Sequence, residues 1–172
     1  MRYGFKEWAK VQAKKLFGKV AFGVLSLLPL EDKVVFCNFN GKCYGDNPRY
    51  ISEALHRLHP EVRQIWLEHA GFHIAPPEYA EVVRWPSGRM FRELATAKAW
   101  VDSHSKPLYV WKRKGQFYLE TWHGGLGMKK IEGDAEETLS YDYMQTSRHN
   151  TELADVCASI CGWLNDIYRR AF

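Results

Sequence analysis

From residue 33 onward, short apolar runs alternate with segments in which apolar residues recur at helical spacing. The runs are 33–38, 64–67, 81–85, 99–102 and 116–122. Runs of this length that do not alternate with polar residues predict strands covered on both faces. Met144-Gln145-Thr146 reads as a sixth strand, ahead of a helix from about Asn150. Ile51, Ala54, Leu55 and Leu58 share one face of a helix that Pro48 opens and Asn47 caps. Met90, Phe91, Leu94 and Ala95 do the same for a helix capped by Ser87. This alternation predicts an α/β fold: a Rossmann-like parallel sheet with flanking helices over residues 31–172. Ligands of such sheets bind beyond the carboxyl ends of the strands.

Residues 1–30 follow another pattern. Phe5, Trp8, Ala9, Leu16 and Val20 fall near one side of a helical wheel, Lys6, Lys10 and Lys14 on another, and Lys15 and Lys19 at the edge of the apolar stripe. Residues 20–30 carry no charge, but the stretch is far shorter than the roughly 20 residues that span a bilayer. Leu28-Pro29-Leu30-Glu31 offers no small-residue cleavage site for a signal peptide. Two readings stand side by side. In one, the segment is a basic amphipathic helix on an anionic membrane surface, bound through Lys6, Trp8, Lys10, Lys14, Lys15 and Lys19. In the other, it is a first helix packed on the domain with its lysines in water.

Composition adds a location for the charge. The 172 residues, 46% hydrophobic and 26% charged, suit one folded core, and the formal net charge is +4. Residues 1–30 hold six basic residues against Glu7 alone, so the remainder is close to neutral. A nucleic-acid-binding domain spreads its positive charge over a folded face, so no nucleic-acid partner is expected. Cys37, Cys43, Cys157 and Cys161 contain no Cys-x-x-Cys pair and read as free thiols of a cytoplasmic protein. His69 and His73 with Cys157 and Cys161 have one-turn spacings that suit zinc. Gly71 interrupts the first pair, however, and the two cysteines read as the buried face of a helix, so structural thiols are favoured and no metal site is expected.

Two strand ends carry chemistry. At the end of the first strand, Asn38-Phe39-Asn40-Gly41-Lys42-Cys43-Tyr44-Gly45-Asp46-Asn47-Pro48 leads through two glycines and a lysine to a helix N-terminus. Such a turn can cradle phosphate, with Gly41, Lys42 and Asn47 as the binding residues, although most glycine-rich turns are only turns. After the fifth strand stands Trp122-His123-Gly124-Gly125-Leu126-Gly127-Met128-Lys129-Lys130. A histidine there can take a proton from an attacking hydroxyl near neutral pH. Gly124 and Gly125, with Lys129 and Lys130, can hold phosphate oxygens.

These two segments resemble the CDP-glycerol glycerophosphotransferases, the teichoic-acid primase and polymerase family. The resemblance rests on Trp122-His123-Gly124, preceded by Lys114-Gly115-Gln116-Phe117-Tyr118, and on Gly41-Lys42-x-Tyr44-x-Asp46-Asn47-Pro48-Arg49. It implies the N-terminal, acceptor-side half of a GT-B fold. It implies transfer of glycerol phosphate or a related polyol phosphate from a CDP-activated donor to a lipid-linked acceptor at the cytoplasmic face of the membrane, with CMP leaving and no separate cofactor. His123 matches the family's catalytic base; Gly124 matches its glycine partner, and Lys129 and Lys130 match more loosely. The CDP-glycerol pocket of the family lies in a C-terminal domain that this sequence does not contain, so a non-catalytic acceptor-binding module is the alternative. A small nucleotide-binding flavodoxin-like domain is a third reading. The chain departs from the family pattern at Gly125–Lys130 and at His104, where an asparagine is expected.

Overall fold

The apolar runs become one parallel sheet. The computed structural model of the chain describes residues 4–124 and 129–172. Its strands are β1 (Glu31–Cys37), β2 (Arg63–His69), β3 (Ala80–Trp85), β4 (Ala97–Asp102), β5 (Phe117–Glu120) and β6 (Val156–Cys157), in the spatial order β3-β2-β1-β4-β5-β6. All five pairings are parallel. The helices are α1 (Phe5–Leu25), α2 (Asp46–Leu58), α3 (Gly88–Thr96), α4 (Tyr141–Leu153) and α5 (Gly162–Ala171). On one face Val35, Ile65, Trp100 and Tyr118 pack with Phe22, Met90, Leu94 and Leu153; on the other, Phe36, Trp66 and Val101 pack with Ile51 and Leu55. The chain runs outward from β1 to β3 and then restarts beside β1 with β4. That reversal opens a crevice at the carboxyl ends of β1 and β4, where ligands of open α/β sheets bind.

Ser87 caps α3 as its sequence predicts, its side chain accepting a hydrogen bond from Met90 N–H at 3.0 Å. Three local expectations are corrected. Residues 144–146 lie inside α4, which starts after Ser140 because the Ser140 side chain accepts from the Tyr143 N–H. The sixth strand is the two-residue β6, so Cys157 lies in a strand and Cys161 just before α5 rather than together on a helix. α2 begins at Asp46 with Gly45 as its N-cap, placing Asn47 in the first turn.

α1 continues through the uncharged stretch to Leu25 and packs against α3 and α4. Val11, Gly18 and Phe22 are buried. A Cβ on Gly18 would lie 2.3 Å from the Tyr109 carbonyl oxygen, so only glycine allows this approach. Three lysines face the domain: Lys14 Nζ is 2.7 Å from Asp142 Oδ1, Lys15 Nζ donates to Gln145 Oε1 at 3.3 Å, and Lys19 Nζ lies 4.8 Å above the Trp111 ring. Leu16, Val20, Val24 and Leu27 face water instead. The outward side of α1 is thus an apolar stripe, and lysines help clamp the inward side.

Candidate functional site

A cleft of about 780 Å³ opens at the carboxyl ends of the strands. Asn40, Lys42, His104, Trp122 and His123 line its polar end, and Phe72, Trp85, Tyr109 and Tyr143 its aromatic walls. α1 contributes Lys14 and α4 contributes Asp142.

His123 reaches the cleft because the backbone turns sharply after β5. Trp122 adopts φ +55°, a left-handed conformation that a bulky residue takes only when its surroundings impose it. Those surroundings are specific. Glu120 Oε1 accepts the Trp122 N–H at 3.1 Å, and the Thr121 N–H and hydroxyl donate to the Asp102 carbonyl at 2.7 and 3.0 Å. His123 Nδ1 then lies 2.7 Å from the Ser103 carbonyl oxygen. A carbonyl only accepts, so Nδ1 carries the proton, and Nε2 of the neutral ring is an acceptor with no hydrogen-bond partner among the described residues. That is the tautomer a general base requires.

The β1 end holds a left-handed run at Phe39, Asn40 and Gly41, with φ of 44°, 57° and 78°. Gly41 is fixed by contact: a Cβ there would meet His69 N at 2.7 Å and Leu67 O at 2.9 Å. Its N–H bonds the Asn38 carbonyl at 2.8 Å, and its own carbonyl accepts from His69 N–H at 2.8 Å. Gly41 therefore shapes the turn, while Lys42 extends into the cleft with its ammonium 5.6 Å from the centre of the Phe72 ring.

The structure brings His123 and Lys42 together in one cleft and places the other expected residues around it. Gly124 adjoins His123, and its carbonyl accepts the Tyr168 hydroxyl at 3.3 Å. Gly125 lies outside the described residues. Lys129 and Lys130 line a separate depression with Asp134 and Glu136. Asn47 lines a shallow groove with Tyr50 and Ile160, its N–H bonded to Asp46 Oδ1 at 2.9 Å. Ser103 and Glu120 escaped the sequence reading, and Asn38 entered it only as the start of the first turn, without a role. Each is a lone polar residue at or beyond a strand end, and only the folded sheet shows what it holds.

Beneath the cleft floor lies a buried polar cluster. Lys106 Nζ is 2.5 Å from Asp102 Oδ2 with both side chains 3% exposed. It also lies above the Trp100 and Tyr118 rings, at 5.5 and 5.8 Å from their centres. Burial raises the Asp102 pKa, against the opposing pull of Lys106. Glu120 accepts the Tyr118 hydroxyl at 2.7 Å and Asn150 Nδ2 at 3.1 Å. Burial first, and then the Asp102 charge, push its pKa up to about 7. The folded chain therefore holds a proton on Glu120 between pH 4.5 and 7 that the unfolded chain has lost, so this group's contribution to stability falls as pH rises through that window. Glu120→Gln mimics the protonated side chain. Its melting temperature should match wild type near pH 5 and exceed it at pH 8, by an amount on the order of 1–3 kcal/mol in stability. A difference that does not change with pH would contradict this assignment.

The model of the CDP-glycerol:poly(glycerophosphate) glycerophosphotransferase family matches residues 21–172. The chain belongs to that family. It is 31% identical over 160 residues to the teichoic acid poly(glycerol phosphate) polymerase of Staphylococcus epidermidis, covering 86% of this chain and 22% of that protein. It is 30% identical over 157 residues to the teichoic acid glycerol-phosphate transferase of Staphylococcus aureus, covering 88% and 40%. A structure of the wall teichoic acid polymerase TagF superposes with a TM-score of 0.80 at 27% identity, across 92% of this chain and 40% of that one. The match places the α/β sheet described above in the GT-B-like fold of that enzyme. The chain spans from about a fifth to about two fifths of the length of these relatives.

Proposed function

We propose that this glycerophosphotransferase-family chain is the acceptor-side domain of an enzyme that moves glycerol phosphate, or a related polyol phosphate, from a CDP-activated donor to a hydroxyl of a membrane-linked teichoic acid or other cell-surface polymer. The observation that carries the reading is the Nδ1 bond from His123 to the Ser103 carbonyl, which leaves Nε2 as the ring's acceptor in the lining of the cleft. In this reading Nε2 takes the proton of the acceptor hydroxyl as its oxygen bonds to the phosphorus that bears glycerol. The bond from that phosphorus to the bridging oxygen breaks, and CMP leaves with the electron pair. Lys42 offsets charge on the entering phosphate groups, and the aromatic walls hold the acceptor in line, since phosphoryl transfer depends chiefly on positioning and electrostatics. Donor binding falls to the part of the relatives that this chain does not span. The test supplies CDP-glycerol and a lipid-linked acceptor to the chain joined to such a donor domain. CMP release coupled to acceptor extension is expected; acceptor binding with no CMP release would leave a binding module in place of an enzyme.

The same reading places the protein peripherally on the cytoplasmic face of the membrane. Among the described residues no helix is long and apolar enough to cross a membrane. Support comes from the exposed stripe of Leu16, Val20 and Val24 on α1, continued by the exposed Leu27 just beyond it, on a helix that also carries the exposed Lys6 and Lys10. Because α1 contributes the buried Phe22, which packs against Phe91, deleting it would open the core, so the informative variant keeps the helix. Leu16→Ser, Val20→Ser and Val24→Ser together should weaken sedimentation with anionic vesicles at least about tenfold. Unchanged sedimentation would remove α1 from the membrane surface.

A further inference from the structure

Two imidazoles lie against each other in the cleft, and the transfer chemistry uses one. The His104 and His123 rings stack with centroids 3.8 Å apart and planes inclined by 18°. Phe39 tilts against both, at 4.9 Å from His104 and 5.6 Å from His123. Ser103, itself fully buried, joins them. Its hydroxyl donates to Asn38 Oδ1 at 2.6 Å. Having spent its single hydrogen there, Ser103 Oγ can only accept from the Phe39 N–H at 3.1 Å and from His104 Nδ1 at 3.3 Å. One residue thus receives the Nδ1 proton of both rings, His104 on the hydroxyl and His123 on the carbonyl.

The bond from His123 Nδ1 to Ser103 does not by itself hold an exposed side chain. A ring held by that bond alone can swing off the carbonyl, which frees Nδ1 from the acceptor that fixes its proton and sweeps Nε2 across the cleft, so a second contact is needed to keep the bond and define its direction. We infer that His104 is a positioning residue for His123, its ring, anchored through Ser103, setting the plane of the His123 imidazole and hence the aim of Nε2. This rests on the reading of His123 as the base. The roles of the two rings are unequal. Burial, then the proximity of His123 and, less, of Lys42, push the His104 pKa down to about 4, against the opposing pull of a hydrogen bond to the Ser103 backbone and, less, of Asp46. At neutral pH His104 is therefore an uncharged surface, against which the imidazolium formed at His123 rests with its charge over a neutral ring. An asparagine, the residue that the family resemblance leads one to expect at this position, would lack the ring face.

Long-range proton–nitrogen correlation spectra of the full chain near pH 7.5 test this without any turnover. His123 is expected in a single Nδ1–H tautomer in wild type and in His104→Phe, which keeps a stacking ring. In His104→Ala and in His104→Asn it should move toward the mixed tautomers of free imidazole, with dispersed Trp66 and Trp100 indole signals reporting that the fold is retained. A single wild-type tautomer in a folded Ala or Asn variant would overturn the inference. So would equal loss in His104→Phe, since the stack would then not be the agent. In the donor-joined enzyme, His104→Ala should lower kcat by roughly 10–100-fold with KM little changed, and His104→Phe should restore most of it. Failure of the wild-type enzyme to transfer would count against the functional reading alone, because the tautomer result does not depend on it.

Discussion

Lys106→Met is expected to cost about 3–5 kcal/mol of folding stability at neutral pH, the typical consequence of removing one partner from a buried ion pair. The buried Asp102 carboxylate would lose the ammonium 2.5 Å away and, among the described residues, keep no other ion pair. Its pKa is already raised by burial; without Lys106 it rises further, so the deficit should shrink as pH falls and the carboxyl takes up a proton. Replacing both partners, as Asp102→Val with Lys106→Met, should recover most of the loss, because an apolar pair of similar volume needs no solvation. Urea midpoints of the three proteins decide the matter. A single variant within about 1 kcal/mol of wild type, or a double variant no better than the single, would show that the pair is solvated rather than buried. The consequence reaches the site, because Asp102 ends β4 immediately before Ser103 and His104, and its carbonyl anchors Thr121 just ahead of the Trp122 turn.

The parts of this arrangement differ in how far sequence exposes them. The strands β1 to β5 are legible because each is an apolar run bounded by loop residues, and α3 because Ser87 precedes a clean set of inward positions. α4 is not legible from apolar spacing, since its buried face mixes Met144 and Leu153 with Ser147, His149 and Asn150. Two of those residues reach tertiary partners: His149 Nε2 lies 2.7 Å from the Val110 carbonyl, and Asn150 Oδ1 accepts the Lys106 N–H at 2.7 Å. Ser140 at its N-cap was the available signal. β6 is two residues long and leaves no pattern at all.

The site divides in the same way. His123 stands out because it sits among glycines at a strand end, and Lys42 because it follows a glycine turn. What gives His123 a direction is not local: Ser103 and His104 follow β4, Glu120 ends β5, and Asn38 follows β1, residues that only the strand order makes neighbours. The lysines of α1 were legible as charge but not as contacts. Lys14, Lys15 and Lys19 turn inward because α4 and Trp111 supply an acid, an amide and an aromatic face within reach. The apolar residues between them are left outside.

The central claim, that His123 is the base of a glycerophosphoryl transfer, is tested most directly by one rate. The donor-joined enzyme and its His123→Ala variant would be compared for CMP release from CDP-glycerol in the presence of a lipid-linked acceptor. Loss of a positioned general base costs about 10²–10⁴-fold. The fold should survive, because the His123 side chain is exposed and, among the described residues, makes one hydrogen bond, to the Ser103 carbonyl. The account predicts a fall in turnover of that size with the melting temperature unchanged. Near-normal turnover in the variant would contradict it.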